Sequence, residues 1–327
     1  MDASLLAGAS PRPPVDATRA LAERFVAVAG IRRLGGERDA NHLIEGVDGR
    51  RYVLKIVAAP EAEQSIPLQI AALDHLAEQA PDLPVPRVVR TRAGASLVEL
   101  AEGAAWLLTF HDGALLSDSA PSGATLAALG ETAGRLTRAL ADFAHPALAR
   151  PLEWDLAQAD AARRWLDHIT NAETRRLAAT ALDLPSTYQT LPRQAVHGDL
   201  NPFNVIVAPD GNVAALIDFG DLHRGTRAAD LAVAAAYHVS DPGAVALIAT
   251  YAEAAQLVPE EVAAIPGLIA ARLGMTLAIT ARRAAERPMD AAYLLRNAAS
   301  AVAGLRWLAN GGAAQLEADL VGGAVAR

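Results

Sequence analysis

Cysteine is absent from the 327 residues, which excludes a disulfide framework and any thiolate metal site. Nothing in the chain then requires an oxidising compartment, and a cytoplasmic location is the expectation. Aromatic residues contribute only 4 %, against an apolar fraction of 52 % carried largely by alanine and leucine. That balance favours helices over an all-β sandwich. No run of lysine or arginine marks a track for a phosphate backbone, and the formal net charge is −8. Nucleic acid is therefore not an expected partner, whereas a small cationic or zwitterionic substrate suits this field. Apolar stretches are broken by charges before reaching the roughly 18 residues of a membrane span, so no membrane association is expected. The opening MDASLLAGASPRPPVD has no basic start followed by a sustained apolar run. Residues 1–17 read as a loose leader and not as a signal peptide.

Lysine is scarcer still. Of 29 basic residues, 28 are arginine and one, Lys55, is lysine. Surface charge tolerates either residue, but a compact ammonium aimed at a phosphate is not reproduced by a planar guanidinium fork. Lys55 sits in RYVLKIV, whose period-2 alternation sets Tyr52, Leu54 and Ile56 on one face and Val53, Lys55 and Val57 on the other. The lysine thus projects from a strand between apolar neighbours.

Length alone suggests two lobes, since one domain typically takes roughly 100–200 residues. From Ile31 to Val57 three strands are expected, the last two joined by a Val47-Asp48-Gly49-Arg50 turn. A helix follows from Pro60-Glu61 to about Glu78, then two strands near Ser96–Leu100 and Ala105–Phe110. The fold class predicted is α+β. An N-terminal lobe over 1–110 holds a five-stranded antiparallel sheet with one main helix, and a mostly helical lobe over 111–327 carries a short catalytic β-hairpin. In that second lobe a helix is expected from Thr125 to Phe143. The strands FNVIVA and VAALID, joined by Pro209-Asp210-Gly211-Asn212, interrupt the helices, which resume from Asp230 with breaks at Gly243, Pro266 and Pro288.

The chemistry concentrates in VHGDLNPFNVIV, which spaces Asp199 and Asn204 as D-x-x-x-x-N, and in the Asp218-Phe219-Gly220 that follows at a strand end. Phosphoryl transfer asks a protein for a carboxylate to orient the attacking hydroxyl, oxygen ligands for magnesium, and a cation on the phosphates. Asp199 supplies the first, Asn204 and Asp218 the second, Lys55 the third. One carboxylate and one amide oxygen beside nucleotide phosphates make a sensible Mg2+ site, because that ion takes hard oxygens and keeps several waters.

VHGDLNPFN followed by LIDFGD resembles the aminoglycoside phosphotransferase and choline kinase superfamily, protein-kinase-like enzymes acting on small molecules. GERDANHLIEGVDGRRYVLKI is similar to the hydroxylysine kinase branch. The likeness spans roughly residues 30 to 310. It implies a kinase moving the γ-phosphoryl group of ATP or GTP to a hydroxyl of an amino-bearing small molecule, 5-hydroxylysine first. Asp199 is then the catalytic base or orienter, Asn204 and Asp218 the metal ligands, and Lys55 the contact to the α/β-phosphates. It further implies that the turn from Gly35 through Gly36 to Asn41 covers the phosphates by its N–H groups, and that Leu107 to Phe110, with Thr109, cradles the base.

The helix glutamate that usually pairs with the strand lysine aligns with Gln69, with Glu63 as the other candidate; an amide offers Lys55 a hydrogen bond but no charge. His197 and Asp230 read as braces of the catalytic loop, Asp230 alternatively as a helix cap. Asp221 is placed to attract a substrate ammonium, and Arg272 to hold a substrate carboxylate. Other acceptors that fit are homoserine, choline, ethanolamine and an aminoglycoside, the scarcity of aromatics weighing against a quaternary ammonium. A nucleotide-binding pseudokinase, or one module of a larger fused enzyme, are the readings from other classes. Oligomeric state and the choice between ATP and GTP are not legible in these residues.

Overall fold

A computed structural model of the chain describes residues 14–35, 40–59, 61–118 and 120–325. It divides into two compact units, one ending at Asp112 and the other starting at Gly113.

The first unit is an antiparallel sheet with helices. Strands β1 (Val28–Arg33), β2 (Ala40–Gly46), β3 (Arg51–Ala58), β4 (Val88–Val89), β5 (Val98–Leu100) and β6 (Gly103–Thr109) run in the order β1-β2-β3-β6-β4, and β5 also pairs with β6. That is six strands where five were expected. The extra one, β4, is two residues of the extended segment after Pro86 and pairs with Leu107 and Leu108 of β6. Two residues carry no readable alternation.

The β2–β3 turn forms as its Asp-Gly predicts. Gly49 takes a φ of +77°, open to glycine, while Asp48 accepts the Arg50 N–H at 3.1 Å. Tyr52, Leu54 and Ile56 join Ile44, Ala105 and Leu107 in one core, together with Ala22 and Phe25. Burying each of the large aliphatic side chains stabilises the unit by about 1.5–3 kcal/mol. Ala22 closes helix α1 (Val15–Ala22), which sits partly in the stretch expected to be a loose leader. Its buried Thr18 and Ala22 explain why it is held; residues 1–13 lie outside the described part. Helix α2 (Glu61–Gln79) crosses from β3 toward β4 in sequence, near its expected bounds.

In the second unit, α3 (Gly123–Ala139) leads into α4 (Ala159–Ala162) and α5 (Ala172–Ala181). Short strands flank them: β7 (Ala114–Leu115), which precedes α3, pairs with β9 (Val205–Val207), which pairs with β10 (Val213–Leu216), while β8 (Arg193–Val196) pairs with β11 (His223–Thr226). Beyond them run α6 (Arg227–Ala236), α7 (Ala244–Ala254), α8 (Pro259–Glu286), α9 (Ala291–Leu294), α10 (Ala298–Trp307) and α11 (Ala313–Val325). Pro266 does not break a helix as expected. It sits in the second turn of α8, where its missing N–H costs one bond while Leu268, Ile269 and Ile279 remain fully buried. By length and composition α8 could cross a membrane, but most of its apolar stretch is buried inside the protein, the signature of a core helix. Helices α3 and α7 approach closely because Gly130 and Gly134 lack side chains. A Cβ on Gly130 would lie 2.1 Å from the Leu247 carbonyl oxygen.

Candidate active site

In the first unit Lys55 is placed by register. It pairs with Asn41 on β2 and with Trp106 on β6, so these three lie side by side on the face opposite the Leu54 and Ile56 core. Lys55 is 8 % exposed and its Nζ stands 6.0 Å from the centre of the Trp106 ring. Asn41 donates from Nδ2 to the Gly35 carbonyl at 3.2 Å, which ties one end of the turn expected over the phosphates to the other. The middle of that turn, Gly36 included, lies outside the described residues. On α2, Gln69 is buried and donates to Ser65 Oγ at 2.7 Å, whereas Glu63 is exposed. Thr109 and Phe110 close the unit. Thr109 exchanges bonds with Arg87, the Phe110 N–H reaches the Arg51 carbonyl at 3.2 Å, and the Arg51 guanidinium stacks 4.8 Å over the Phe110 ring.

In the second unit the ribbon β8–β11 organises the chemistry. Val196 pairs with His223, so the catalytic loop leaves β8 where the segment after Asp218-Phe219-Gly220 enters β11. Neither strand was expected. Arg193–Val196 is short, and His223–Thr226 carries a glycine and three polar residues without alternation.

His197 is fully buried. Its Nδ1 accepts the Asp199 N–H at 3.3 Å, so Nε2 carries the proton donated to the Ile217 carbonyl at 3.1 Å, and its ring meets Phe219 edge-on at 4.7 Å. It thus spans the catalytic loop and the residue before Asp218, as a brace. Asp230 braces the same loop from the first turn of α6, accepting the Gly198 N–H at 2.7 Å; the helix is capped instead by Thr226.

Asp199 is gripped on both oxygens. Asn201 and Asn204 donate to Oδ2 at 2.8 and 2.9 Å, and Arg272 donates to Oδ1 at 3.0 Å. Burial pushes this carboxyl above the usual range against the pull of Arg272. Because 24 % of the side chain stays exposed, the push is that of a half-sheltered group open to one side. Arg272 was expected to hold a substrate carboxylate. The structure gives it other partners: it is 2 % exposed, bonded to Asp199 and to the Trp154 carbonyl.

Asn204 gives both its Nδ2 bonds to Asp199, the side chain at 2.9 Å and the main-chain oxygen at 2.9 Å, which leaves Oδ1 as its remaining acceptor. Its carbonyl accepts the Ile217 N–H at 2.9 Å, so Asn204 and Asp218 leave adjoining backbone. Asp218 adopts a φ of +66°, uncommon outside glycine, with Oδ1 accepting the Gly220 N–H at 3.3 Å. Arg150 donates to the Gly220 carbonyl, fixing the same turn. This donor set suits a hard cation. Among the described residues no cluster of three or more His, Cys, Asp or Glu could hold a metal, so an ion here would complete its shell with phosphate oxygens and water, as Mg2+ does. Asp221 ends the short 3-10 turn Phe219–Asp221, two residues before β11, its carbonyl accepting the His223 Nδ1–H at 2.8 Å.

The model of the phosphotransferase enzyme family matches residues 30–265, spanning both units. The chain belongs to that family. It is a small-molecule kinase, a phosphotransferase with an alcohol group as acceptor, built on the protein-kinase-like fold. It is 32 % identical over 257 residues to a homoserine kinase of Methylobacterium nodulans, covering 71 % of this chain and 77 % of that one. To a homoserine kinase of Methylocella silvestris it is 29 % identical over 262 residues, 72 % and 77 % of the two chains. Among solved structures, a microcompartment-associated aminopropanol kinase superposes with a TM-score of 0.66 at 21 % identity, covering 91 % of this chain and 99 % of that one.

Two site neighbours escaped the sequence reading. Trp106 could have been found by pairing β6 against Lys55. Trp154 could not, because it lies in an irregular segment whose role appears only through Arg272.

Proposed function

We propose that this family member transfers the γ-phosphoryl group of Mg2+-ATP to the hydroxyl of a small amino-bearing alcohol, with homoserine as the first acceptor. The observation that carries it is Asp199, whose carboxylate is held on both oxygens yet stays partly exposed, the state an orienting group for an acceptor hydroxyl requires. The hydroxyl oxygen attacks the γ-phosphorus, the bond to the β–γ bridging oxygen breaks, and the hydroxyl proton passes toward Asp199 as ADP departs. Asn204 Oδ1 and the Asp218 carboxylate would hold the metal, which when bound neutralises charge on the phosphates; Lys55 is assigned to the α/β-phosphates.

The acceptor rests on three supports. The curated relatives carry the name homoserine kinase, Asp221 offers a carboxylate to an ammonium beside the catalytic loop, and the net charge of −8 favours cationic or zwitterionic ligands. 5-Hydroxylysine is the second reading, favoured by the Gly36-Glu37-Arg38-Asp39-Ala40-Asn41 stretch. Nucleotide consumption with ATP and with GTP against homoserine, 5-hydroxylysine, aminopropanol, choline, ethanolamine and kanamycin tests it. Turnover that requires Mg2+ and an amino alcohol is expected; turnover with kanamycin alone would reject the proposed acceptor class.

A further inference from the structure

Arg272 lies in the interior of α8, and its guanidinium is held both at its edge and across its face. Nη2 donates to Asp199 Oδ1 at 3.0 Å, Nη1 to the Trp154 carbonyl at 3.3 Å, and the plane stacks 4.7 Å from the centre of the Trp154 ring. Trp154 is itself clamped to α8. Its neighbour Glu153 accepts from Arg282 at 2.7 Å and from Arg283 at 2.7 and 3.2 Å, and Arg283 packs 5.5 Å from the same indole. A carboxylate on a loop can rotate about two bonds. Here Oδ2 is fixed by two amides of its own loop and Oδ1 by a guanidinium from a core helix.

We propose that Arg272, aligned by Trp154, is a positioning residue that sets the rotation of the Asp199 carboxylate, so that the acceptor hydroxyl meets it in line with the γ-phosphoryl group. The inference rests on Asp199 being the group that aligns that hydroxyl. Arg272 does not serve as the receptor for an acceptor carboxylate. Its Nε is buried and Tyr237 also bonds the guanidinium, so the side-on fork that grips a carboxylate is closed to an incoming ligand. The pairing is also mutual: a guanidinium this buried, if stripped of its counter-ion, would be strongly unfavourable.

The test is steady-state kinetics of Arg272→Gln, Arg272→Lys, Trp154→Leu and Asp199→Asn, and of Arg272→Gln combined with Asp199→Asn, on the acceptor turned over by the parent enzyme. Misplacement of a reacting group by about 1 Å costs on the order of 10²-fold. Arg272→Gln is therefore expected to lose about 10²-fold in kcat, with KM for ATP and for acceptor unchanged within about twofold. Arg272→Lys recovers part of the loss, because one ammonium can bond Asp199 but cannot also reach Trp154 as a fork does. In the Asp199→Asn background, Arg272→Gln adds nothing further. Trp154→Leu, which leaves the ion pair in place, lowers kcat in the same sense and keeps the test open should Arg272→Gln not fold. An unchanged kcat in Arg272→Gln, or a loss confined to the acceptor KM, overturns the proposal. Full turnover by Asp199→Asn would instead overturn the role given to Asp199.

Discussion

Gly198 and Asp230 are joined by a hydrogen bond of 2.7 Å from the glycine N–H to Oδ1, linking the catalytic loop to the first turn of α6. The other carboxylate oxygen receives the His197 N–H at 3.4 Å and faces the Thr137 and Tyr251 hydroxyls at 3.4 and 3.5 Å; these two share a bond of 2.5 Å, so one of them donates to Asp230. Thr137 and Tyr251 come from α3 and α7, the helices that Gly130 and Gly134 allow to meet. The loop's shape therefore depends on packing a full helix layer away.

Asp230→Ala should be costly in both stability and rate. It leaves the buried His197 and Gly198 N–H groups and one hydroxyl without their acceptor, and each unsatisfied buried group costs roughly 1–3 kcal/mol. A fall in Tm is expected, with kcat lost more than KM. Thermal unfolding of the variant with and without nucleotide checks the first, and initial rates the second. A fully stable, fully active variant would show that the loop holds itself.

Gly198→Ala probes the same loop from its other side. The residue has a φ of +82°, and a Cβ there would stand 2.5 Å from the Asp221 carbonyl oxygen and 2.8 Å from His223 Nδ1. The left-handed backbone alone costs an L-residue about 1–2 kcal/mol, and the contact would push the segment after Asp218 aside. Loss of turnover with retained secondary structure by circular dichroism is the expected result.

Much of this was legible before any coordinates. The single lysine, the Asp199/Asn204 spacing and the Asp218-Phe219-Gly220 turn are local patterns, and local patterns survive in one dimension. The Asp48-Gly49 turn and the core face of β3 were readable for the same reason. What escaped depends on distant pairing: β4, β8 and β11 are strands only because a partner lies beside them, and their own residues show no alternation. The fate of Arg272 was hidden likewise, since nothing in the helix sequence tells a substrate-facing arginine from one tied to Asp199.

Asp199→Asn and Asp218→Asn should separate chemistry from binding. An amide at position 199 keeps the shape but cannot take a proton, so turnover is expected to fall by at least about 10²-fold, the low end for a general base, with nucleotide affinity nearly intact. An amide at position 218 removes a charge from the proposed metal pair, so Mg2+-dependent nucleotide binding should weaken as well. Calorimetric titration with a non-hydrolysable ATP analogue, with and without Mg2+, distinguishes them; equal binding losses in both variants would contradict the assignment.

Stability should decline on the alkaline side through one buried pair. His223 donates Nδ1–H to the Asp221 carbonyl and sets Nε2 3.6 Å from Asp155 Oδ1. Burial disfavours the imidazolium, but the hydrogen bond and charge of Asp155 outweigh it and hold His223 above its ordinary 6.5. Burial likewise opposes the Asp155 carboxylate, yet His223 draws that group below the usual range. The histidine's contribution is therefore fully present below its unfolded value and lost as pH rises through the raised folded one. The aspartate's is lost only in acid, as pH falls through its lowered value. Tm measured from about pH 6 to 9, the range in which a raised histidine titrates, should drop more steeply for the parent than for Asp155→Asn; parallel curves would remove the pair from the account.

The scarcity of lysine offers the most direct check on the first unit. Lys55 is the only side-chain amine in the chain, so an amine-reactive nucleotide analogue has one target besides the N-terminus. Lys55 is packed among Asn41 and Trp106 on the non-core face of the sheet, and if its Nζ meets the α/β-phosphates, modification should be stoichiometric at position 55 and blocked by ATP. Lys55→Arg should then be nearly as damaging as Lys55→Met, even though charge is kept, because a planar guanidinium fork does not reproduce a compact single-point ammonium. Peptide mass spectrometry of the labelled protein and ATP KM of the two variants provide the readout. Labelling that ATP leaves untouched, together with a fully active Lys55→Arg, would mean that the one retained lysine has no part in nucleotide binding.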